Sequence, residues 1–587
     1  MGLFWRRKKR TARCYVIAET PASRPSAKTV VTAESRRGRG AARTRARIAM
    51  LAVVFGVVYG VLVGRLAFVS LGPEDASPRV AAAALEDDRP RPEILDRNGA
   101  LLATNLPMIA LEISGRDVWD PAETAATLAR AFPEIDRAAL EKKLRERRYV
   151  EVLDDMTPEQ QEEAFRLGLP GVRFSSRTRR FYPQEALAAH VVGHTEPGKG
   201  GVMGLERVLD DRGREGALIA SIDIRVQQAL EDELEKAKEE FSAKAGWGIV
   251  MDVATGEVIA LASLPDFDPN APGAYPPDSR RNRATYDRYE LGSAFKTVTA
   301  AAALEAGTAS ESSEYDARKA YRVADRLIHD FHGENRVLSF SEVLQHSSNI
   351  GAARMAGDLG STRQREAFGR LGLLEPLPIE LAENRAPDLP MKWGPVESAT
   401  IAYGHGIAET PLHLLAAFSA VINGGDYRVP TFLKAEAARP AEKAFSDKTS
   451  LIMRRVLRRV ITDGTAGQAE VAGYYPIGKT STADKASAGG YDVSTRISSF
   501  VGAFPGYAPR YSVLISLDEP HATKKTFGYA TAGWTAAPAF ARLVARIAPT
   551  LGVMPVNEAT ALAGFYDGYQ SADAGAYAAS PATGGEE

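Results

Sequence analysis

Leu291-Gly-Ser-Ala-Phe-Lys-Thr-Val-Thr-Ala-Ala-Ala-Ala-Leu-Glu-Ala-Gly307 decides the reading of this 587-residue chain. From Ser293 onward the run is nearly all Thr, Ala, Val and Leu, which predicts an apolar helix that starts at Ser293 and stops at Gly307. Ser293 and Lys296 are three residues apart and share a helix face, so an amine could take the proton of the hydroxyl. At the helix N-terminus, unpaired backbone N–H groups favour developing negative charge. The lysine must be neutral to act as a base, and an apolar helix body with a second cation nearby would depress its pKa. Taken alone, Ser-x-x-Lys is a weak signal, and its bland reading is a surface lysine.

The flanking chain predicts the frame around that helix. Asp223 opens an amphipathic helix in which Val226, Leu230, Leu234, Ala237 and Phe241 recur at spacings of three and four. Gly248–Val253 and Val258–Ala262, joined through Ala254-Thr-Gly-Glu257, read as a β-hairpin. Near the C-terminus Ile477–Ala483, Ser498–Phe504 and Tyr511–Asp518 read as three strands, and Thr531–Ala548 as a closing helix. With an all-α middle, these elements predict an α+β domain over 217–551. Before it, 70–216 mixes short strands and helices, with a capping box at Thr157-Pro-Glu-Gln160. The Ala-, Gly- and Ser-rich residues 552–587 read as a flexible tail.

Charge divides the chain. Residues 1–47 hold 14 Lys and Arg against 2 acids, whereas the whole chain has a formal net charge of −1. A basic tip on an acidic body is not a nucleic-acid-binding profile. The single cysteine, Cys14, lies in the tip, so the body has no disulfide scaffold, CxxC zinc site or cysteine nucleophile. Residues 48–69 are apolar except for Arg65, about 33 Å as a helix and enough for a bilayer core. No small-residue cleavage site lies close behind it, so the segment reads as an uncleaved anchor. The Arg/Lys cluster before it puts the tip, 1–47, in the cytoplasm and the body outside.

Ser347-Ser-Asn349 on helical ground and Lys479-Thr-Ser-Thr-Ala483 on a strand come after Ser293-Ala-Phe-Lys296 in order. This trio resembles the active-site signature of penicillin-recognising acyl-serine enzymes. Arg91-Pro-Glu-Ile-Leu-Asp-Arg-Asn-Gly99, Arg180-Phe-Tyr-Pro183, His190-Val-Val-Gly193 and Gly204-Leu-Glu206 resemble pedestal motifs of class B penicillin-binding proteins, the monofunctional peptidoglycan transpeptidases. Met251–Glu257, Phe267-Asp-Pro-Asn270, Ala399–Ile407 and Thr410-Pro-Leu412 resemble stretches of their transpeptidase domain. Leu517-Asp-Glu-Pro520 and Phe527–Pro538 are similar to the division-type, FtsI-like branch.

The resemblance implies a mixed pedestal (dimerisation-type) domain, then a serine β-lactamase-like domain with an antiparallel sheet flanked by helices. It implies that Ser293 attacks the penultimate D-Ala carbonyl of a stem peptide, with Lys296 as general base. Ser347 would relay a proton to the leaving amine, and Asn349 would bond substrate and Lys296. Lys479 would supply a second positive charge, Thr480, Ser481 and Thr482 would line the substrate site with the hydroxyls of Thr480 and Thr482 on the terminal carboxylate, and the backbone N–H groups of Ser293 and Thr482 would form the oxyanion hole. β-Lactams are implied as ligands, and a polymerase of the FtsW type with other division proteins as partners. The implied location is the inner membrane at the division site. No step requires a metal or another cofactor.

Ser481 stands where the family usually has glycine, and on a strand it shares a face with Lys479, toward the nucleophile helix. Three other readings stay open: an elongation-type paralogue, a non-catalytic scaffold or β-lactam sensor, and a hydrolase. His190 with His194, and His329-Asp-Phe-His332, could suggest metal pairs but lie within family-like motifs. For His405 the choice is between a substrate contact and a packed histidine.

Overall fold

The computed structural model describes residues 49–63, 91–437, 439–487 and 490–566. Residues 49–63 are helical. The remainder of the expected 48–69 anchor and the basic tip lie outside the described residues. Among the described residues no helix is long and apolar enough to cross a membrane. Residues 49–63 belong to one compact unit, and the chain from Pro90 onward forms another.

In that second unit, β1 (Ile94–Leu95), β2 (Leu101–Ser114), β3 (Tyr149–Met156), β4 (Val172–Phe181) and β5 (Leu218–Ile219) form one sheet. The long β2 pairs antiparallel with β1, β3 and β4, while β1 and β5 run parallel. The helices α1 (Pro121–Ala131), α2 (Arg137–Arg145) and α3 (Pro158–Arg166) accompany it. Each starts on a side-chain cap, from Asp120, Asp136 and Thr157 respectively, and the capping box at Thr157 with Gln160 is formed. Leu111, Ile113, Leu128, Phe132 and Leu144 make a separate head core. Ile94, Leu102, Ala103, Tyr182 and Leu205 instead join the core of the C-terminal domain. The expected boundary at 216/217 is therefore not a boundary between cores, because the neck of the pedestal and the C-terminal domain share one apolar interior.

Three sequence motifs of the neck meet at one carboxylate. Glu206, on α4 (Gly204–Asp211), is fully buried, with Arg91 Nε at 2.5 Å and Arg180 Nε at 2.7 Å. Asp210 takes the other end of Arg91 at 2.7 Å. Two guanidiniums on one buried carboxylate supply the pairing that burial of charge demands. The Asn270 side chain brackets the backbone of Tyr182, accepting from its N–H at 3.0 Å and donating to its carbonyl at 2.9 Å. His190 and His194 flank Phe267 edge-on, and His190 Nε2 lies 2.8 Å from the Ser279 carbonyl oxygen. These histidines pack the neck against the start of the next domain.

The second sheet has strand order β8-β9-β10-β6-β7, all antiparallel, from β6 (Ala245–Asp252), β7 (Val258–Leu264), β8 (Ile477–Ser487), β9 (Gly490–Phe504) and β10 (Tyr511–Asp518). The hairpin and all three C-terminal strands thus stand where the sequence puts them and join one sheet. On one face lie α5 (Ile224–Glu240), capped by Asp223, and α11 (Ala536–Thr550). A side chain at Gly248 would come within 2.7 Å of Leu230, so glycine lets α5 approach the backbone of β6. The other face receives α9 (Pro411–Ile422), whose Ser419 hydroxyl meets Ser512 of β10 at 2.7 Å, and α10 (Asp447–Thr462) holds the end of α9 through Arg454 Nε on the Ile422 carbonyl oxygen at 2.6 Å. The central helix α6 (Phe295–Glu305) is buried over nearly its whole length, as its composition requires.

Three expectations are corrected. The middle is not all-α: Glu314–Asp316 pairs with Val337–Ser339, Tyr321–Val323 with Arg326–Ile328, and Asp426–Tyr427 with Glu442–Lys443. These strands are two or three residues long, too short for a period-two pattern to register. The α-helix does not begin at Ser293, since Gly292–Ala294 is a 3-10 turn that feeds α6. The tail does not begin at 552: α12 (Glu558–Tyr566) packs Phe565 into the core beside Tyr507, and 567–587 lies outside the described residues.

Candidate active site

Backbone approach on both sides holds the turn bearing Ser293. Gly292 has φ +55°, and a side chain there would meet the Ser481 hydroxyl of β8 at 2.8 Å. From the opposite side, a side chain at Gly404 would lie 2.2 Å from the Gly292 carbonyl oxygen. Glycine at both places is what allows this close approach. Glu290, just before the turn, accepts from Gly406 N–H at 2.9 Å and fastens the 399–407 stretch to it. Within Leu291–Ala300 only Ser293 keeps appreciable exposure. The nucleophile candidate thus opens from an otherwise buried run.

Lys296 lies one turn inside and is 1% exposed. Its Nζ is 2.9 Å from Ser293 Oγ, 2.7 Å from Asn349 Oδ1, 2.6 Å from the Ser347 carbonyl oxygen and 3.1 Å from Ser347 Oγ. Burial, then the charge of Lys479, hold Lys296 well below the usual lysine range, with Asp330 opposing. Lys479, on β8 and fully buried, reaches Ser347 Oγ and the Thr480 carbonyl oxygen at 3.1 Å each. Burial lowers its pKa to about 7. Ser347 therefore stands between two amines, with its hydroxyl in reach of both.

Ser347 is not on a helix, contrary to expectation. It sits between α7 (Phe340–Gln345) and α8 (Asn349–Leu359) with φ +57°. Ser347 N–H bonds Leu344 O and Ser348 N–H bonds Val343 O, which is a Schellman ending with serine where glycine is usual. A left-handed serine is strained, and such strain concentrates at functional sites. Ser348 then caps α8 through Gly351 N–H at 2.9 Å. Asp330 fixes the turn from outside, accepting from Ser348 Oγ at 2.7 Å and Ile350 N–H at 2.9 Å. Asn349 Nδ2 donates to the His329 carbonyl oxygen at 3.2 Å.

Ser293, Lys296, Ser347, Asn349, Lys479 and Thr480 are joined by one chain of contacts, and Ser481 and Thr482 follow on the same strand, but Ser481 is corrected. Its side chain faces the turn as expected, yet its hydroxyl donates at 2.5 Å to the Leu291 carbonyl oxygen instead of lying open to a ligand. Thr480 Oγ1 lies 2.7 Å from Thr465 Oγ1, and Thr482 Oγ1 accepts from Ala532 N–H at 3.1 Å, which leaves the Thr482 hydroxyl proton available. Asp330, which anchors the second motif, and Thr465, Ala532 and Glu290 all support the site from outside its three motifs. Of these, only Asp330 carried a signal, being the acid of the His329-Asp-Phe-His332 run. His405 is half-buried, its ring 5.1 Å from that of Tyr403, and desolvation lowers its pKa.

A serine on a turn held against an antiparallel edge strand, beside one buried amine and with a second buried lysine on that strand, is an arrangement that can support acyl transfer through a serine. The chain belongs to the penicillin-binding protein transpeptidase family, as a class B, division-type member. Residues 246–544 match the family model for the penicillin-binding protein transpeptidase domain, and 87–236 that for the penicillin-binding protein dimerisation domain. The chain is 42% identical over 490 residues to a probable peptidoglycan D,D-transpeptidase FtsI of Caulobacter vibrioides, covering 81% of this chain and 83% of that protein. It is 30% identical over 512 residues to a probable peptidoglycan D,D-transpeptidase PenA of Neisseria gonorrhoeae, covering 81% and 86%. Penicillin binding protein 3 of Mycobacterium tuberculosis, solved with aztreonam, shares the fold at TM-score 0.63 and 23% identity over 80% of this chain and 98% of that one.

Proposed function

We propose that this protein is the peptidoglycan D,D-transpeptidase of cell division, cross-linking stem peptides through an acyl-serine intermediate. The observation that carries this reading is the Lys296 amine at 2.9 Å from Ser293 Oγ, with Asn349 Oδ1 and the Ser347 carbonyl oxygen closer still. A neutral amine has two N–H donors and one lone pair. The two short contacts use the donors, and the lone pair then faces the serine hydroxyl.

In this reading Lys296 takes the Ser293 proton as Oγ attacks the penultimate D-Ala carbonyl. The backbone N–H groups of Ser293 and Thr482 hold the oxyanion. Ser347, between the two amines, passes a proton to the departing D-Ala nitrogen. Lys479 and the hydroxyls of Thr480 and Thr482 face the terminal carboxylate, whose arrival favours protonated Lys479. An acceptor amine from a neighbouring strand then attacks the ester and frees Ser293. β-Lactams acylate the same oxygen.

The apolar 48–69 segment anchors the chain in the inner membrane, with residues 1–47 cytoplasmic and the catalytic part periplasmic. The pedestal contacts an FtsW-type polymerase. Membrane fractionation with protease accessibility tests the anchor; recovery of the full chain in the soluble fraction contradicts it. Purified protein given a stem pentapeptide and an amine acceptor is expected to release D-Ala and form cross-linked product. Release with hydrolysis alone would mark a carboxypeptidase. Depletion in cells is expected to give filaments, whereas round cells would indicate the elongation role.

A further inference from the structure

The departure at Ser481 has a structural use. Its hydroxyl is buried and donates to the Leu291 carbonyl oxygen at 2.5 Å. That carbonyl stands at the start of the 3-10 turn Gly292–Ala294. The bond therefore joins the edge strand bearing Lys479 and Thr482 to the turn bearing Ser293, across the groove that an acylating ligand must use. Among the described residues β8 is paired on one side only, with β9. At an edge, one row of backbone groups has no sheet neighbour to fix it. The turn is already held from its other side, where Gly404 packs on Gly292 and Glu290 bonds Gly406. A glycine at 481 could offer no bond across the remaining gap.

Resting on the acyl-transfer reading above, we propose that Ser481 is a positioning residue: its hydroxyl latches the edge strand to the nucleophile turn and so fixes the width of the acylation groove. Neither the proton nor the lone pairs of Ser481 enter the reaction. The latch acts through Thr482 and Ser293, whose backbone N–H groups must stand at a set separation to receive the oxyanion. Such groups help most when they are already in place before charge develops. The latch therefore belongs to the rate of the acylation step, and ligand capture depends on it far less. Size and hydrogen bonding separate cleanly here, because alanine keeps the Cβ and loses only the hydroxyl.

The test is acylation kinetics with a chromogenic or fluorescent penicillin on the membrane-extracted full chain, comparing wild type, Ser481→Ala and Ser481→Gly, with Ser293→Ala as the blank. Saturation curves give the first-order acylation constant separately from the pre-covalent dissociation constant. Both variants are expected to lose about tenfold in the first-order constant, roughly 1.4 kcal/mol, with the dissociation constant within about threefold of wild type. Circular dichroism and the melting temperature confirm that each variant is folded. An alanine variant as fast as wild type, or either variant faster, overturns the latch and leaves Ser481 as an obstruction of the groove. A loss confined to the dissociation constant overturns it in favour of direct ligand contact. Wild type that fails to acylate at all refutes the acyl-transfer reading itself, a result distinct from any of these.

Discussion

Two lysines share one serine, and each is buried for a different use. In the proposed reaction Lys296 must be neutral to accept a proton, while Lys479 must be charged to meet a carboxylate. Acylation is therefore expected to rise with pH as Lys296 passes its lowered pKa and to fall above about 7, where Lys479 loses its proton. Rates of penicillin acylation across pH check this; a rate that keeps climbing through pH 9 would contradict the role of Lys479. The same burial costs stability. Between about 7 and the ordinary 10.5 the unfolded chain binds a proton at Lys479 that the native chain has released. Stability thus rises with pH across that window, and the penalty is largest below it. Lys479→Met is expected to raise the melting temperature at pH 6 by a few degrees, on the order of 1 kcal/mol or more, while abolishing acylation. A lowered melting temperature would show that the amine is a net structural contributor. At this scale the sequence was most readable where residue type dictates chemistry. Ser293, Lys296 and Lys479 were legible as candidates through the order of the three motifs and the family resemblance they carry, because Ser-x-x-Lys alone is also satisfied by a surface lysine. Ser481 was legible in direction, through strand alternation, but its acceptor, Leu291 O, is a backbone group 190 residues away.

Elements decide how the second motif is presented. Ser347 reads as helical because the residues on both sides form α7 and α8, and nothing in a polar Ser-Ser-Asn announces a left-handed serine. The turn depends on Asp330, which holds the Ser348 hydroxyl and the Ile350 N–H together. Asp330→Ala removes both bonds at the start of α8. It is expected to cost about 1–2 kcal/mol of stability and to slow acylation at least tenfold, because Ser347 and Asn349 lose their placement. Asp330→Asn, which keeps one acceptor oxygen, should recover part of both. Thermal melts beside penicillin kinetics measure the two effects, and wild-type acylation in a folded alanine variant would contradict the link. The strands were legible at the same scale. Ile477, Phe504, Tyr511 and Asp518 end their strands where the pattern put them, since alternation and turn residues are local. The two-residue and three-residue strands of the middle carry no period, so only tertiary pairing reveals them.

Across the whole molecule, the pedestal neck and the transpeptidase domain share one apolar interior, and Glu206 is the polar centre of the neck. Three motifs that looked like separate landmarks in the sequence supply two cations and the fully buried anion of a single cluster, in which Asp210 also pairs with Arg91. That convergence was not legible, because Arg91, Arg180 and Glu206 are brought together only by β2, β4 and α4. Glu206→Ala leaves two largely buried guanidiniums without their shared partner and is expected to cost about 3–5 kcal/mol. Limited proteolysis should then cut within residues 91–216 faster than in wild type, and equal cutting with an unchanged melting temperature would contradict the role assigned to the cluster. The central claim, however, concerns chemistry at Ser293. Intact mass spectrometry after exposure to a penicillin, on wild type and Ser293→Ala, addresses it most directly. The account predicts one stable penicilloyl adduct on wild type, mapped to the peptide containing Ser293, and none on the variant. An adduct that persists in Ser293→Ala, or its absence from folded wild type, would contradict it.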